Sequence, residues 1–324
     1  MEKEVSFEHY VVTRFNLPIF QAKIGKNLLK SCDKEYLKYR FDLFEKFCFP
    51  SFVNQSCQDF KWLVLFDSNT PIEFKERAET LHNRYKNFVP CYLNINDYSE
   101  IPEQYERLAE NYDNVVCKYY PDRSFDLDVE RERQLRLIIP LFILDSIKKC
   151  SSTKPEYYIT TRIDNDDAFH KDMIKTIQER FIQNPKHKII DFVYSYKFIL
   201  EQRIVYRHTL QNGHFISLIE PTTQPFQSVL YWNHLYVDKF LSVEHIYGTP
   251  LQIELIHGNN VINYFSEPTF KGFLYAFIHF RRKDFGYRGV RVSYLRQLYV
   301  LGFYVKEKLK KAVTFRRDYV EETV

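Results

Sequence analysis

The chain has 324 residues, 45% hydrophobic and 27% charged, which suits one large globular domain or a domain with a subdomain and argues against disorder. It has only 8 glycines and neither a GxGxxG nor a Walker A pattern, which argues against a Rossmann dinucleotide loop or a P-loop. The formal net charge of +4 is uneven: Lys271–Asp318 carries thirteen Lys/Arg against three Asp/Glu, a local +10, leaving −6 for the remainder. Such asymmetry implies a solvated helix face or an anionic partner for the C-terminal part, either a membrane surface or an acidic substrate. No recognition motif accompanies the basic residues, so nucleic acid is not an expected partner.

The N-terminus, MEKEVSFEHY, is acidic and lacks the apolar run of a secretion signal. No window of about 18 apolar residues reads as a spanning helix. The six cysteines form no CxxC pair and read as reduced thiols of a cytoplasmic protein.

In chain order, EHYVVTRF (Glu8–Phe15) reads as a buried first strand. EYLKYRFDLFEKFCFPSF places Leu37, Phe41, Phe44 and Cys48 at helical spacing and is expected to stop at Pro50. DFKWLVLFD is a second strand ending at Asp67, followed by a helix with Thr70 as N-cap and Pro71 at its first position. FVPCYL reads as a third strand despite Pro90. PEQYERLAENY reads as a helix and NVVCKYY as a strand. A long helix follows with Pro140 inside it, where a kink is expected. Strands alternating with helices imply an α/β layer with a mainly parallel sheet, whose ligands bind beyond the carboxyl ends of the strands. Beyond Asp191 the pattern changes. KFILEQRIVYRHTLQNGHFISLIEP reads as a β-hairpin turning at Asn212–Gly213, and YLRQLYVLGFYVKEKLKK as an amphipathic helix with a basic flank.

One stretch needs a chemical account. EYYITTRIDNDDAFHKDMI (Glu156–Ile174) opens as a strand, closes as a helix and holds Asp164, Asp166 and Asp167 between them. Like charges that close repel one another and are costly to bury unpaired, so something positive belongs there. An EF-hand counted from Asp164 would need Gly and an acid where Phe169 and Lys175 stand. An aspartyl phosphatase would need Thr or Val where Ala168 stands. Helix capping by Asp167 explains one aspartate of the three. A strand ending in D-x-D also suits a divalent cation, Mn²⁺ or Mg²⁺, bridging the diphosphate of a nucleotide sugar, whose negative charge grows as the sugar leaves.

Three stretches in this order, RFDLFEKFCFPSFVNQSCQDFKWLVLFD, TTRIDNDDA and LIHGNNVIN, resemble the rhamnosyltransferase family of bacterial glycosyltransferases. The resemblance spans Tyr10 to Asn263. It implies an α/β GT-A-like fold over 1–268, with a donor half near 8–170, an acceptor half near 190–268 and a basic aromatic helical region over 269–324. It also implies transfer of a sugar, rhamnose in the family's name, from a dTDP-, UDP- or GDP-linked donor to a saccharide or lipid-linked saccharide during surface polysaccharide synthesis. The basic C-terminal region would then hold the enzyme at the inner membrane face. Carried onto this chain, the family pattern puts Asp164 near the donor ribose and makes Asp166 the metal ligand, with Asp167 as alternative and His257 in HGNN as a further ligand. Thr13, Arg14, Asp67, Arg136 and Arg162 are the remaining donor-site candidates, and Glu220 is the candidate base. The competing readings are a hydrolase using the Asp164–Asp167 carboxylates and a non-catalytic carbohydrate-binding protein.

Overall fold

The computed structural model describes residues 5–17, 32–98, 127–151, 153–232, 234–258, 269–287 and 289–306, with short pieces at 22–24, 27–29, 103, 105–106 and 110. Its centre is a seven-stranded sheet. The strands are β1 (Phe7–Arg14), β4 (Lys61–Asp67), β5 (Phe88–Leu93), β6 (Tyr157–Arg162), β8 (Lys188–Phe192), β11 (Ser217–Pro221) and β12 (Val243–Ile246), in the order β12-β8-β11-β6-β1-β4-β5, while β2 (Ala22–Ile24) and β3 (Asn27–Leu29) pair with each other as a separate antiparallel ribbon. All seven strands of the main sheet are parallel except β11, which runs antiparallel to both β6 and β8. Pro90 lies in β5, an edge strand among the described residues, where a missing N–H costs no ladder bond.

Side-chain alternation along the central strands divides the core into two layers. Val11, Trp62, Val64 and Phe66 face one side. There they meet α1 (Lys34–Leu43), α2 (Phe49–Val53), α3 (Ile72–Arg84) and α5 (Met173–Gln183). Tyr10, Val12, Leu63 and Leu65 face the other, against Ile138, Ile139, Phe142, Ile143 and Ile147 of α4 (Leu127–Cys150). Much of the aromatic content is core: Phe15, Phe41, Phe44 and Phe66 pack together, and Phe52 stacks on Trp62 at 3.9 Å.

The helix expected to end at Pro50 continues through it. A π-helical turn at Phe44–Cys48 joins α1 to α2, with the Phe49 amide reaching back to the Phe44 carbonyl. Widening the helix there accommodates a proline that lacks a donor and crowds the preceding turn. Thr70 does not cap α3. Its hydroxyl donates to the Asp67 carbonyl at 2.7 Å, and Pro71 stands at the cap position. Pro140 lies inside α4. PEQYERLAENY and NVVCKYY fall almost wholly outside the described residues.

A second sheet, in the order β10-β9-β13-β7, is built from β7 (Ala168–Phe169), β9 (Tyr194–Ile199), β10 (Ile204–Thr209) and β13 (Gln252–Ile256). The hairpin is β9–β10, and it turns at residues 200–203, where Arg203 has a φ of 56°. The expected turn at Asn212–Gly213 instead carries the chain from one sheet to the other, so β10 and β11 do not pair. Two helices, α6 (Phe270–His279) and residues 294–306, named α7 below, pack on the small sheet through Phe273, Ala276 and Leu301. The five cysteines among the described residues are free thiols.

Candidate functional site

The acidic stretch leaves the carboxyl end of β6 at the middle of the main sheet, where the strand order places β1 on one side and β11 on the other. The chain turns at 165–166 and enters β7, so the three aspartates sit where the two sheets meet. Each has a different environment.

Asp167 is buried, and both its oxygens are engaged. Oδ1 accepts the Leu255 amide of β13 at 2.9 Å, and Oδ2 lies 3.0 Å from His214 Nε2. Burial and the adjacent Asp166 charge push its carboxyl up to about 7. Burial alone would lower the His214 imidazole, but the Asp167 hydrogen bond and the Asp164 and Asp167 charges outweigh it and raise it.

Asp164 is the most open of the three, with 36% of its side chain exposed. Its buried surroundings would raise its carboxyl, but the positive charges of Arg162, His214, Arg14 and Arg40 hold it well below the usual carboxylate range. Arg162 donates to it at 3.4 Å. Ligand atoms of Asp164, Asp167 and His214 all lie within 4.8 Å of one another, so these three can jointly hold a metal ion.

Asp166 faces a different set. Its Oδ2 takes Arg40 Nη1 at 2.9 Å and His257 Nε2 at 2.9 Å, and His257 Nδ1 meets the Tyr39 hydroxyl at 3.0 Å. Burial opposes its ionisation, but Arg40 and His257 overcome that and lower it. The structure therefore brings Asp166 and His257 together as expected, with a buried guanidinium on the same oxygen. Arg40 already compensates the Asp166 carboxylate, whereas the group whose ligand atoms converge closely enough to hold an ion is Asp164, Asp167 and His214.

The other candidates separate. Arg14 ends β1 and acts on Asp164 electrostatically. Thr13 is fully buried and accepts the Trp62 indole N–H at 2.9 Å, which turns it into the core. Asp67 ends β4 and accepts the Asn69 amide at 2.8 Å, a turn-stabilising role. The Arg136 side chain falls outside the described residues. Glu220 is not brought to the cluster. It pairs with Tyr158 at the start of β6, about 13 Å along the strand from Arg162. Its two oxygens accept the Gln227 and Ser228 amides at 2.8 and 3.0 Å. Because β11 is antiparallel to β6, a residue late in β11 lies far from the strand end that carries the aspartates.

Two site residues were missed from sequence. His214 directly follows the Asn212–Gly213 turn dipeptide, and Arg40 lies in the helical stretch of Leu37 and Phe41, where an arginine on the buried face (8% exposed) needs a buried anion. His234 adds a third group. Its Nδ1 donates to the Asn212 carbonyl at 3.0 Å, its ring lies 6.3 Å from that of His214, and burial together with Arg162 pushes it down to about 3.

Residues 8–123 match the family model described as "Putative rhamnosyl transferase". No curated protein matches the chain. Among solved structures, the chain is similar to residues 1–349 of TarS from S. aureus, with a TM-score of 0.36 and 9% identity over 76% of this chain. The match spans 60% of the length of that structure.

Proposed function

We propose that this protein is a metal-dependent glycosyltransferase of GT-A-like fold. It moves a sugar, rhamnose being the family's namesake, from a dTDP-, UDP- or GDP-linked donor to a saccharide or lipid-linked saccharide acceptor. The observation that carries the reading is the convergence of Asp164, Asp167 and His214 at the carboxyl end of β6, where open α/β sheets bind ligands. The N-terminal family match supports the reaction class.

The residues fit a divalent cation. Two carboxylates and an imidazole suit Mn²⁺, and the carboxylates alone suit Mg²⁺. Asp167 is crowded by Asp166 and Asp164, and its raised carboxyl marks a place where added positive charge is favourable. A bound cation supplies Lewis-acid stabilisation of the charge that grows on a departing nucleoside diphosphate. The protein's own part is preorganisation. The Leu255 amide fixes the Asp167 rotamer, and the surrounding arginines keep Asp164 ionised. The buried Arg40–Asp166–His257–Tyr39 chain ties α1 to the acidic stretch. Arg14 and Arg162 put positive charge beside the carboxylates, as binding of a diphosphate requires.

The reading is tested by thermal denaturation with UDP, dTDP, GDP and their sugars, with and without Mn²⁺. A ligand bound only by the folded state raises the melting temperature. Stabilisation by one nucleotide that requires Mn²⁺ and disappears in Asp164→Asn is expected. No response to any nucleotide would overturn the reading and turn attention to hydrolysis of phosphorylated substrates.

A further inference from the structure

The helix α7 is apolar on two opposite faces. One face holds it to the protein: Leu301 is buried against the small sheet, and Gln297 bonds both backbone groups of Val205. The opposite face carries Leu295, Leu298, Tyr299 and Phe303, a helical i, i+3, i+4, i+8 spacing. These side chains are 82%, 50%, 77% and 54% exposed. The neighbouring helix α6 adds Leu274 and Ile278, 39% and 49% exposed. The two helices touch through Phe277–Tyr294 and Phe273–Tyr304. A helix that is apolar all round normally lies inside a protein or a bilayer, and large outward apolar side chains clustered on two touching helices mark a surface meant to be covered.

The charge around this surface identifies what covers it. Lys271, Arg281, Lys283, Arg291, Arg296 and Lys306 are exposed on the same two helices and the segment that joins them. Among the described residues from 269 onward, Asp284 is the acid, and Lys171 pairs with it at 3.0 Å. A second copy of the chain would bring one set of exposed cations on these helices towards another, which like-charge repulsion opposes. Apolar side chains on two helices whose exposed charged residues are basic match an anionic lipid surface, where the rings and aliphatic chains enter the acyl boundary and the cations stay at the headgroups.

We propose that α6 and α7 form a membrane-docking face, with Leu295, Leu298, Tyr299 and Phe303 as the inserting residues. This inference does not rest on sugar transfer, because it uses no residue of the acidic site. Docking of this kind differs from plain charge attraction in having an apolar part that salt does not screen.

The test is co-sedimentation of the full chain with vesicles of phosphatidylcholine alone or mixed with phosphatidylglycerol, at low and high salt. Wild type is expected to pellet with the anionic vesicles and to keep part of that binding at high salt. The triple variant Leu295→Ser, Tyr299→Ser, Phe303→Ser alters exposed positions and is expected to bind at least about tenfold more weakly. In a second readout, Tyr299→Trp should show lipid-dependent blue-shifted fluorescence quenched by brominated acyl chains. Three results would overturn the proposal: no binding to anionic vesicles at low salt; equal binding by the triple-serine variant; or a concentration-dependent dimer of wild type that the triple-serine variant abolishes, which would assign the face to a second copy.

Discussion

His214 and Asp167 are 47 positions apart in the chain and 3.0 Å apart in the fold. The connection from β10 to β11 carries His214 from the small sheet to the main one, past the end of β6. The same pair joins Asp164 in the set of groups able to hold a cation. Asp166, one residue from Asp167, turns instead to Arg40 and His257. The acidic stretch thus divides into a part that offers ligands and a part that is already neutralised.

That division predicts a stability effect. The Arg40 and Asp166 side chains are 10% and 8% exposed. Removing one partner leaves a buried charge uncompensated, which typically costs about 3–5 kcal/mol. Arg40→Met should destabilise the protein by that order in urea denaturation, and adding Asp166→Asn should recover part of the loss. A double variant whose destabilisation equals the sum of the two single ones would show that the pair is not coupled.

The site also predicts a pH dependence for the metal-free protein. Asp167 is an acid whose carboxyl is raised from 3.8 to about 7 on folding, so the folded state holds that proton more tightly than the unfolded state. Its ionisation therefore costs stability as pH rises from about 4 to above 7. His214, raised above 6.5, acts in the same sense, because its contribution is present below 6.5 and lost as pH rises through its folded value. Glu220, pushed up to about 8 by burial, adds to this trend. Asp164, lowered on folding, loses its contribution only in acid below about 3.8. Wild type should lose stability as pH rises from about 4 to about 8, and Asp167→Asn should lose less, the difference arising between about pH 4 and 7. Parallel stability–pH curves for the two proteins would contradict this assignment.

Glu220→Gln should leave sugar transfer nearly unchanged, because the residue sits at the other end of β6 with both oxygens held by backbone amides. Its effect should be on folding, by about 1–3 kcal/mol, since a side-chain amide N–H would face a backbone donor. A loss of turnover by orders of magnitude in a well-folded variant would return Glu220 to the chemistry.

Gly286→Ala should destabilise the contact between the C-terminal region and α2. Gly286 has a φ of +69°, and an added Cβ would come within 2.5 Å of the Pro50 carbonyl oxygen. Strain and overpacking of this kind cost about 1–3 kcal/mol. An unchanged melting temperature would show that this contact is dispensable.

Much of the scaffold was legible in the sequence because it rests on local patterns. The alternation in EHYVVTRF and KWLVLFD gave two central strands, and the strand–helix rhythm gave a mainly parallel sheet. The acidic stretch was legible as a charge that needs compensation. What compensates it was not legible, since Arg40, His214 and Leu255 are remote in sequence and converge only through sheet order. Asn212–Gly213 misled for a related reason: a strong turn dipeptide specifies a reversal, and here the strands it joins belong to different sheets. Glu220 misled because the one antiparallel strand of the main sheet reverses which end of it faces the site.

The most direct measurement is calorimetric titration of Mn²⁺, with a nucleoside diphosphate present, into wild type, His214→Ala and His257→Ala. If Asp164, Asp167 and His214 hold the metal, His214→Ala loses at least about tenfold in affinity, while His257→Ala binds nearly as wild type. Loss in His257→Ala with retention in His214→Ala would contradict the account and place the metal on Asp166.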